Sequence, residues 1–269
     1  MAMIRKRVLG WFGAITLGLF AGLALTGGAG SGSSPEIRLT VLYDNFTHAP
    51  GTQADWGFAG LIEGTEKTIL FDTGAKRDVF WKNVDALEAG IAKVEVVVIS
   101  HVHQDHTGGL DSVLEKKKGI PVYIPADSPD DFVKNIENNG GWPEKVTKPV
   151  SVCKDVLLFP NAGAVEEVGL VLRGAEGSAL LTGCAHPGIV AMVRSADEAL
   201  KDKVRFVLGG FHLLSHSEAQ IRQIINDFME LGVEKCGATH CTGDPAVRLF
   251  KEAFGANFVP LGVGKVVIF

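Results

Sequence analysis

From Ile37 onward, short apolar runs take turns with longer segments whose apolar residues recur at helical spacing, the pattern of alternating strands and helices. The runs predict strands at 38–43, 58–63, 68–71, 94–100, 122–124, 168–172, 179–182, 204–208 and 235–239. Several are unbroken Val/Ile/Leu stretches, as a strand covered on both faces requires. Helix starts are marked by Ser128-Pro129 with Asp131, by Ser217 with Gln220 three residues on, and by Asp244-Pro245. No long linker or repeat interrupts the alternation. It predicts one domain over residues 35–269 with an α/β layered architecture, a two-sheet core with helices outside.

The N-terminus follows a different pattern. Arg5-Lys6-Arg7 precedes an uncharged run over residues 8–29, which closes on small residues from Thr26 to Ser34. A basic end, an apolar middle and a small-residue region are the order of a secretory signal peptide. A run this long also suffices to cross a bilayer, so an N-terminal membrane anchor is the alternative. Either reading sets residues 1–34 apart from the folded domain and exports 35–269 to a periplasmic or extracellular location. No cysteine follows the run, which argues against a thioether-linked lipid anchor there.

The chain has 269 residues, 46% of them hydrophobic and 21% charged, enough to bury a sizeable core. Lys and Arg number 26 against 31 Asp and Glu, a formal charge of -5 that counts against a nucleic-acid partner. The four cysteines, Cys153, Cys184, Cys236 and Cys241, are too few for a disulfide scaffold of this length, and they form no CxxC pair, which disfavours a dithiol redox motif or a zinc ribbon. A GxSxG elbow is absent, which disfavours serine hydrolase chemistry.

Candidate chemistry gathers after the apolar run at 94–100, in His101-Val102-His103-Gln104-Asp105-His106 followed by Thr107-Gly108-Gly109. Three imidazoles and a carboxylate within six residues are costly to bury without partners, and a metal ion satisfies them together. On an extended strand end, His101 and His103 point the same way and can bind one ion. Asp105 and His106, past the strand, can turn toward a second ion where the chain bends at the glycines. Three more apolar strands end in candidate groups: Cys184 and His186 in TGCAHPG, His212 in GGFH, and His240 beside Cys241 in THCTG. Strand ends along one edge of an α/β sheet are where binding groups collect. Asp72, in FDTG, is either a turn aspartate or a carboxylate that orients a ligating histidine. His48 is a loop residue or part of a pocket rim, and His216, beside the cap Ser217, belongs on the surface.

In this order, over Ile37 to Phe269, the motifs FDTG, SHVHQDHTGGL, LLTGCAHPG, GGFHL and THCTG resemble those of the metallo-β-lactamase superfamily. Within it, they are similar to the branch that includes a dihydropterin (ribofuranosyl)aminobenzene phosphate synthase. The resemblance implies a four-layer αβ/βα sandwich with a metal site on one edge between the sheets. It implies His101 and His103 on one divalent ion, and Asp105, His106 and His240 on a second. The chain departs from the usual pattern at two places. No histidine stands between His106 and His186, where most members place a ligand, and Cys184 stands where a bridging aspartate is usual. The branch-like TGCAHPG order implies that His186 fills the missing position and that Cys184 is a thiolate ligand. The rival is that His186 caps the following helix. The implied cofactors are two divalent ions, zinc by default, with iron or manganese suiting an oxygen-rich second position.

Such a site implies a metal-dependent hydrolase that uses a metal-activated water at a mono- or dinuclear centre on a small-molecule ester, phosphoester or lactone. Asp105 would hold the nucleophile as well as a metal, and His212 would contact the substrate. A synthase-like transferase is the alternative that the branch's named activity implies, and a metal-binding sensor without turnover is another. Residues 44–56 and 125–150 carry no motif and are expected to be the loops that select the substrate.

Overall fold

In the computed structural model, which describes residues 36–269 and the isolated positions 2 and 10, the strands form two mixed sheets. The expected signal peptide or anchor lies outside the described residues. Among those described, no helix is long and apolar enough to cross a membrane.

The first sheet contains β1 (Arg38–Tyr43), β2 (Ala59–Glu63), β3 (Ile69–Phe71), β4 (Val96–Val98), β5 (Pro121–Pro125) and β6 (Trp142–Val146). The second contains β7 (Val150–Cys153), β8 (Val156–Asn161), β9 (Glu167–Gly174), β10 (Gly177–Thr182), β11 (Val204–Gly210) and β12 (Lys235–Thr239). The last strand, β13 (Val266–Ile268), returns to pair with β1, so the first sheet runs β13-β1-β2-β3-β4-β5-β6 and the second β12-β11-β10-β9-β8-β7. Among the described residues seven α-helices join them: α1 (Arg77–Ala86), α2 (Gln104–Thr107), α3 (Leu110–Lys116), α4 (Asp130–Asn138), α5 (Ile189–Leu200), α6 (Glu218–Leu231) and α7 (Asp244–Phe254).

Strand alternation sorts the apolar side chains into three layers. Val96 and Val98 of β4 meet Leu170 and Leu172 of β9 and Leu181 of β10 between the sheets. The intervening Val97 points outward to a cluster that includes Val79 and Phe80 of α1, Val113 of α3 and Ile136 of α4. Val171 and Leu180 point outward on the other side, to a cluster built with α5, α6 and α7. Both faces of these strands are apolar because both are covered, which yields the expected four-layer αβ/βα sandwich.

All nine predicted strands form, but the sequence reading missed β6, β7, β8 and β13. β6 carries Pro143 at the sheet edge, where a residue without an N–H is tolerated, and most of its residues are exposed or half-buried. The stretch 125–150, expected as a loop, holds α4 and β6, and α4 buries Ile136 in the outer core. The helix starts were partly correct. Ser217 and Gln220 make a reciprocal capping box at α6. The cap positions of α4 and α7 are Pro129 and Gly243, one residue off the predicted Ser128 and Asp244. Ser128 is buried, and its hydroxyl makes no hydrogen bond.

Candidate metal centre

Parallel pairing brings the chemistry-bearing strand ends to one edge. Phe71 is in register with Val98 across β3 and β4, so Asp72 and Ser100 follow side by side. In the other sheet, Thr182 pairs with Gly209 and Gly210 with Thr239, which levels the loops that carry Cys184, His212 and His240. The sheets approach so closely there that a Cβ at Gly183 would lie 2.1 Å from Ser100 Oγ. One at Gly210 would lie 2.3 Å from the Gly183 carbonyl oxygen. Asp72, Ala185, His212 and His240, all at these strand ends, have φ between 50° and 60°. Such left-handed backbone costs about 1–2 kcal/mol per non-glycine residue and collects where function demands it.

Two groups of donor atoms meet at Cys184. Asp105, His106, Cys184 and His240 each offer one atom within 4.8 Å of the others, and so do His101, Cys184 and His186. His101 Nε2 lies 3.0 Å from His103 Nδ1 and 3.2 Å from His186 Nε2, and Cys184 Sγ lies 3.3 Å from His106 Nε2. Burial, followed by the neighbouring imidazoles, holds His101 neutral. Burial and the adjacent His212 push His186 down to about 4. Burial opposes ionisation of Asp105, but the imidazoles of His240 and His106 hold its carboxyl below the usual range. His240 Nε2 is buried 3.3 Å from Asp105 Oδ2 and has no hydrogen-bond partner. An orphaned buried nitrogen beside converging nitrogen, oxygen and sulfur donors fits one or two divalent ions.

Buried acceptors set the orientation of these donors. Asp72 Oδ2 accepts from His106 Nδ1 and from Ser100 Oγ, each at 2.7 Å, and Oδ1 accepts from the Ser100 amide at 2.7 Å. Burial opposes protonation of His106, yet the charge and hydrogen bond of Asp72 raise its pKa. A proton kept on Nδ1 leaves Nε2 to face the centre. Asp72 therefore orients a histidine, the second of its two expected roles. Asn45 Oδ1 lies 3.0 Å from His240 Nδ1, and the Trp56 ring sits 4.9 Å from the His240 ring. Glu167, fully buried at the start of β9, accepts amide hydrogens from Gly183, Cys184 and Ala185 at Oε1 and from His186 at Oε2. It shapes the whole loop that presents Cys184 and His186.

The structure modifies several readings. β4 ends at Val98, so His101 and His103 lie in the connection to α2, with His103 at the cap position, rather than on the strand itself. His186 does not cap α5: the cap position is Gly188, and no side chain bonds there. His212 is exposed, its ring 4.2 Å from that of His186, and it groups with Cys184 and the buried Cys241. His48 is exposed on the β1–β2 connection. His216 is only partly exposed, and its Nδ1 is buried without a partner. Glu167, Asn45 and Trp56 escaped the sequence reading. The one available signal was an acidic pair, Glu166-Glu167, directly before an apolar strand.

The family model of the metallo-β-lactamase superfamily matches residues 56–193. A 7,8-dihydropterin-6-methyl-4-(β-D-ribofuranosyl)-aminobenzene-5'-phosphate synthase of Methanocaldococcus jannaschii is 29% identical over 263 residues, covering 79% of this chain and 90% of that protein. The crystal structure of Tm1679, a metal-dependent hydrolase of the β-lactamase superfamily, matches with a TM-score of 0.73 and 30% identity over 86% of this chain and 98% of that one. The metallo-β-lactamase fold protein YhfI from Bacillus subtilis matches with a TM-score of 0.64 over 87% of this chain and all of that one. At 14% identity it speaks for the fold alone.

Proposed function

The chain belongs to the metallo-β-lactamase superfamily, and from that premise we propose that it is a metal-dependent hydrolase of small-molecule esters, phosphoesters or lactones. The observation that carries this reading is the convergence of two donor groups on Cys184. His101, His103 and His186 would hold one ion and Asp105, His106 and His240 a second, with Cys184 as a further thiolate ligand shared by the two donor groups. Divalent ions held there would supply Lewis acidity and a nucleophilic water at neutral pH. Asp105 directs Oδ2 toward His106 and His240, and its carboxylate accepts the proton of the attacking water. The water's oxygen ends on the acyl or phosphoryl centre, and the proton reaches the leaving oxygen. His212, exposed beside His186, contacts the substrate.

The test is elemental analysis of the purified protein, followed by turnover of ester, lactone and phosphodiester substrates. We expect about two equivalents of a divalent metal and measurable hydrolysis. Asp105→Ala should lower turnover at least about a hundredfold, ~2.7 kcal/mol in the barrier, with an unchanged circular dichroism spectrum. Retention within about tenfold would remove Asp105 from its role.

The likeness to a named synthase favours a second reading, transfer that joins a dihydropterin to an aminobenzene ribofuranosyl phosphate. Such intermediates are cytoplasmic, whereas the N-terminal pattern suits export, so hydrolysis stands first. Coupled product from those two substrates, without ester or lactone cleavage, would reverse the order. Full metal content with no turnover of any kind would leave a sensor.

A further inference from the structure

A groove of about 400 Å³ opens beside the centre. It shares His186 and His212 with the site and continues between Val190 of α5 and Ile224 of α6. Apart from imidazoles, among them His216, the one ionisable group among its described lining residues is the Asp227 carboxylate. None of the described lining residues is Lys or Arg. The rest of the lining is apolar or small.

That lining discriminates between the substrate classes left open above. A phosphate or carboxylate entering the groove would pass Asp227 and meet no ammonium or guanidinium, and an unpaired charge in an apolar cleft is costly. An alkyl or aryl group, by contrast, would leave water for a cleft of the size typical of small-molecule sites. We propose that this groove holds the non-reacting part of the substrate and that this part is uncharged and apolar, so that the preferred substrates are alkyl or aryl esters and lactones rather than phosphate-bearing molecules. The proposal rests on the hydrolase reading and narrows it.

Metal-loaded full-chain protein is assayed at pH 8 with p-nitrophenyl acetate, butyrate, hexanoate and phosphate. Each buried methylene is worth about fourfold, so kcat/KM should rise at least about tenfold from acetate to hexanoate, with the phosphate turned over far more slowly than any ester. Ile224→Trp and Val190→Trp each fill the groove from a different helix, so a folding defect in one does not decide the outcome. Each should cut hexanoate turnover at least about tenfold and acetate turnover by a clearly smaller factor. A flat chain-length profile, preference for the phosphate, or equal loss of acetate and hexanoate in both variants would overturn the proposal. Absence of turnover on every substrate counts against the hydrolase reading instead. The groove is then judged by calorimetry with hexanamide and hexyl phosphate: tighter binding of the amide, lost in both variants, supports it, and the reverse order or unchanged binding refutes it.

Discussion

Two buried carboxylates brace the two halves of the centre in different ways. Asp72, on the first sheet, receives a backbone amide, a hydroxyl and an imidazole. Glu167, on the second, receives four consecutive backbone amides and no side chain. Asp72 therefore acts on the chemistry of a donor: it fixes where the proton of His106 sits and so which ring nitrogen faces the centre. Glu167 acts on the path of the chain. Residues 183–186 leave β10 with Ala185 in a left-handed conformation, and without a common acceptor their amides would be buried unpaired. A donor supplied by a rigid short motif needs orientation, whereas donors on an open loop first need the loop to be held.

Replacing Glu167 should therefore have the largest effect. Glu167→Ala strands four amide donors, each costing about 1–3 kcal/mol when buried and unsatisfied. The variant should lose at least ~4 kcal/mol in urea unfolding, together with metal uptake at both positions, because Cys184 and His186 shift as a unit. A loss below ~1 kcal/mol would mean that the loop keeps its path unaided. His186→Ala should have a narrower effect. If the imidazole ligates beside His101, the variant retains its fold and loses about one metal equivalent. Unchanged stoichiometry and affinity would remove His186 from the ligand set.

The Asp72 side should respond most mildly and most selectively. In Asp72→Asn, one side-chain oxygen still accepts from the Ser100 amide, but the new amide group faces His106 Nδ1 as a donor and favours the other tautomer. Removing such a partner typically weakens a metal site about 10–100-fold. The weakening should appear in chelator competition for one ion, with the second ion and the unfolding midpoint little changed. Equal weakening of both ions would erase the contrast with Glu167.

The sequence disclosed these halves unequally, for a physical reason. His101, His103, Asp105 and His106 fall within six residues, so their proximity needs no knowledge of the fold. Cys184, His186, His212 and His240 could be singled out because each follows an apolar strand, and strand ends share an edge in a layered α/β protein. Their meeting with the first group depends on register between strands far apart in the chain, which no local pattern specifies. Glu167 was hidden for the same reason. Beside Glu166 it reads as a solvated turn, and its burial comes from amides 16 to 19 residues downstream. The long strands β9, β10 and β11 were legible because both of their faces are apolar. β6 and β13 were not, since one carries a proline among mostly exposed or half-buried residues and the other buries one residue of its three.

A third buried carboxylate grades the comparison by the number of donors. Asp44, directly after β1, receives the Thr239 hydroxyl, 2.8 Å from both of its oxygens, and the Phe46 amide at 3.1 Å. Burial outweighs these bonds and raises its pKa from 3.8 to about 7. Because the folded value exceeds the unfolded one, the folded chain holds a proton that the unfolded chain has released across this interval. The associated stability is fully present below pH 3.8 and is lost as pH rises through about 7. One proton corresponds to a slope of about 1.4 kcal/mol per pH unit. Asp44→Asn keeps an acceptor for Phe46 and Thr239 but cannot ionise, so it should lack this component. Urea unfolding of chelator-treated wild type and variant at pH 5 and pH 6 isolates it, since the other titrating groups are common to both proteins. From the lower to the higher pH, wild type should lose about 1.4 kcal/mol more than the variant. Parallel losses would mean that two neutral donors suffice to keep Asp44 ionised. The number of donors would then not be what separates it from Asp72 and Glu167.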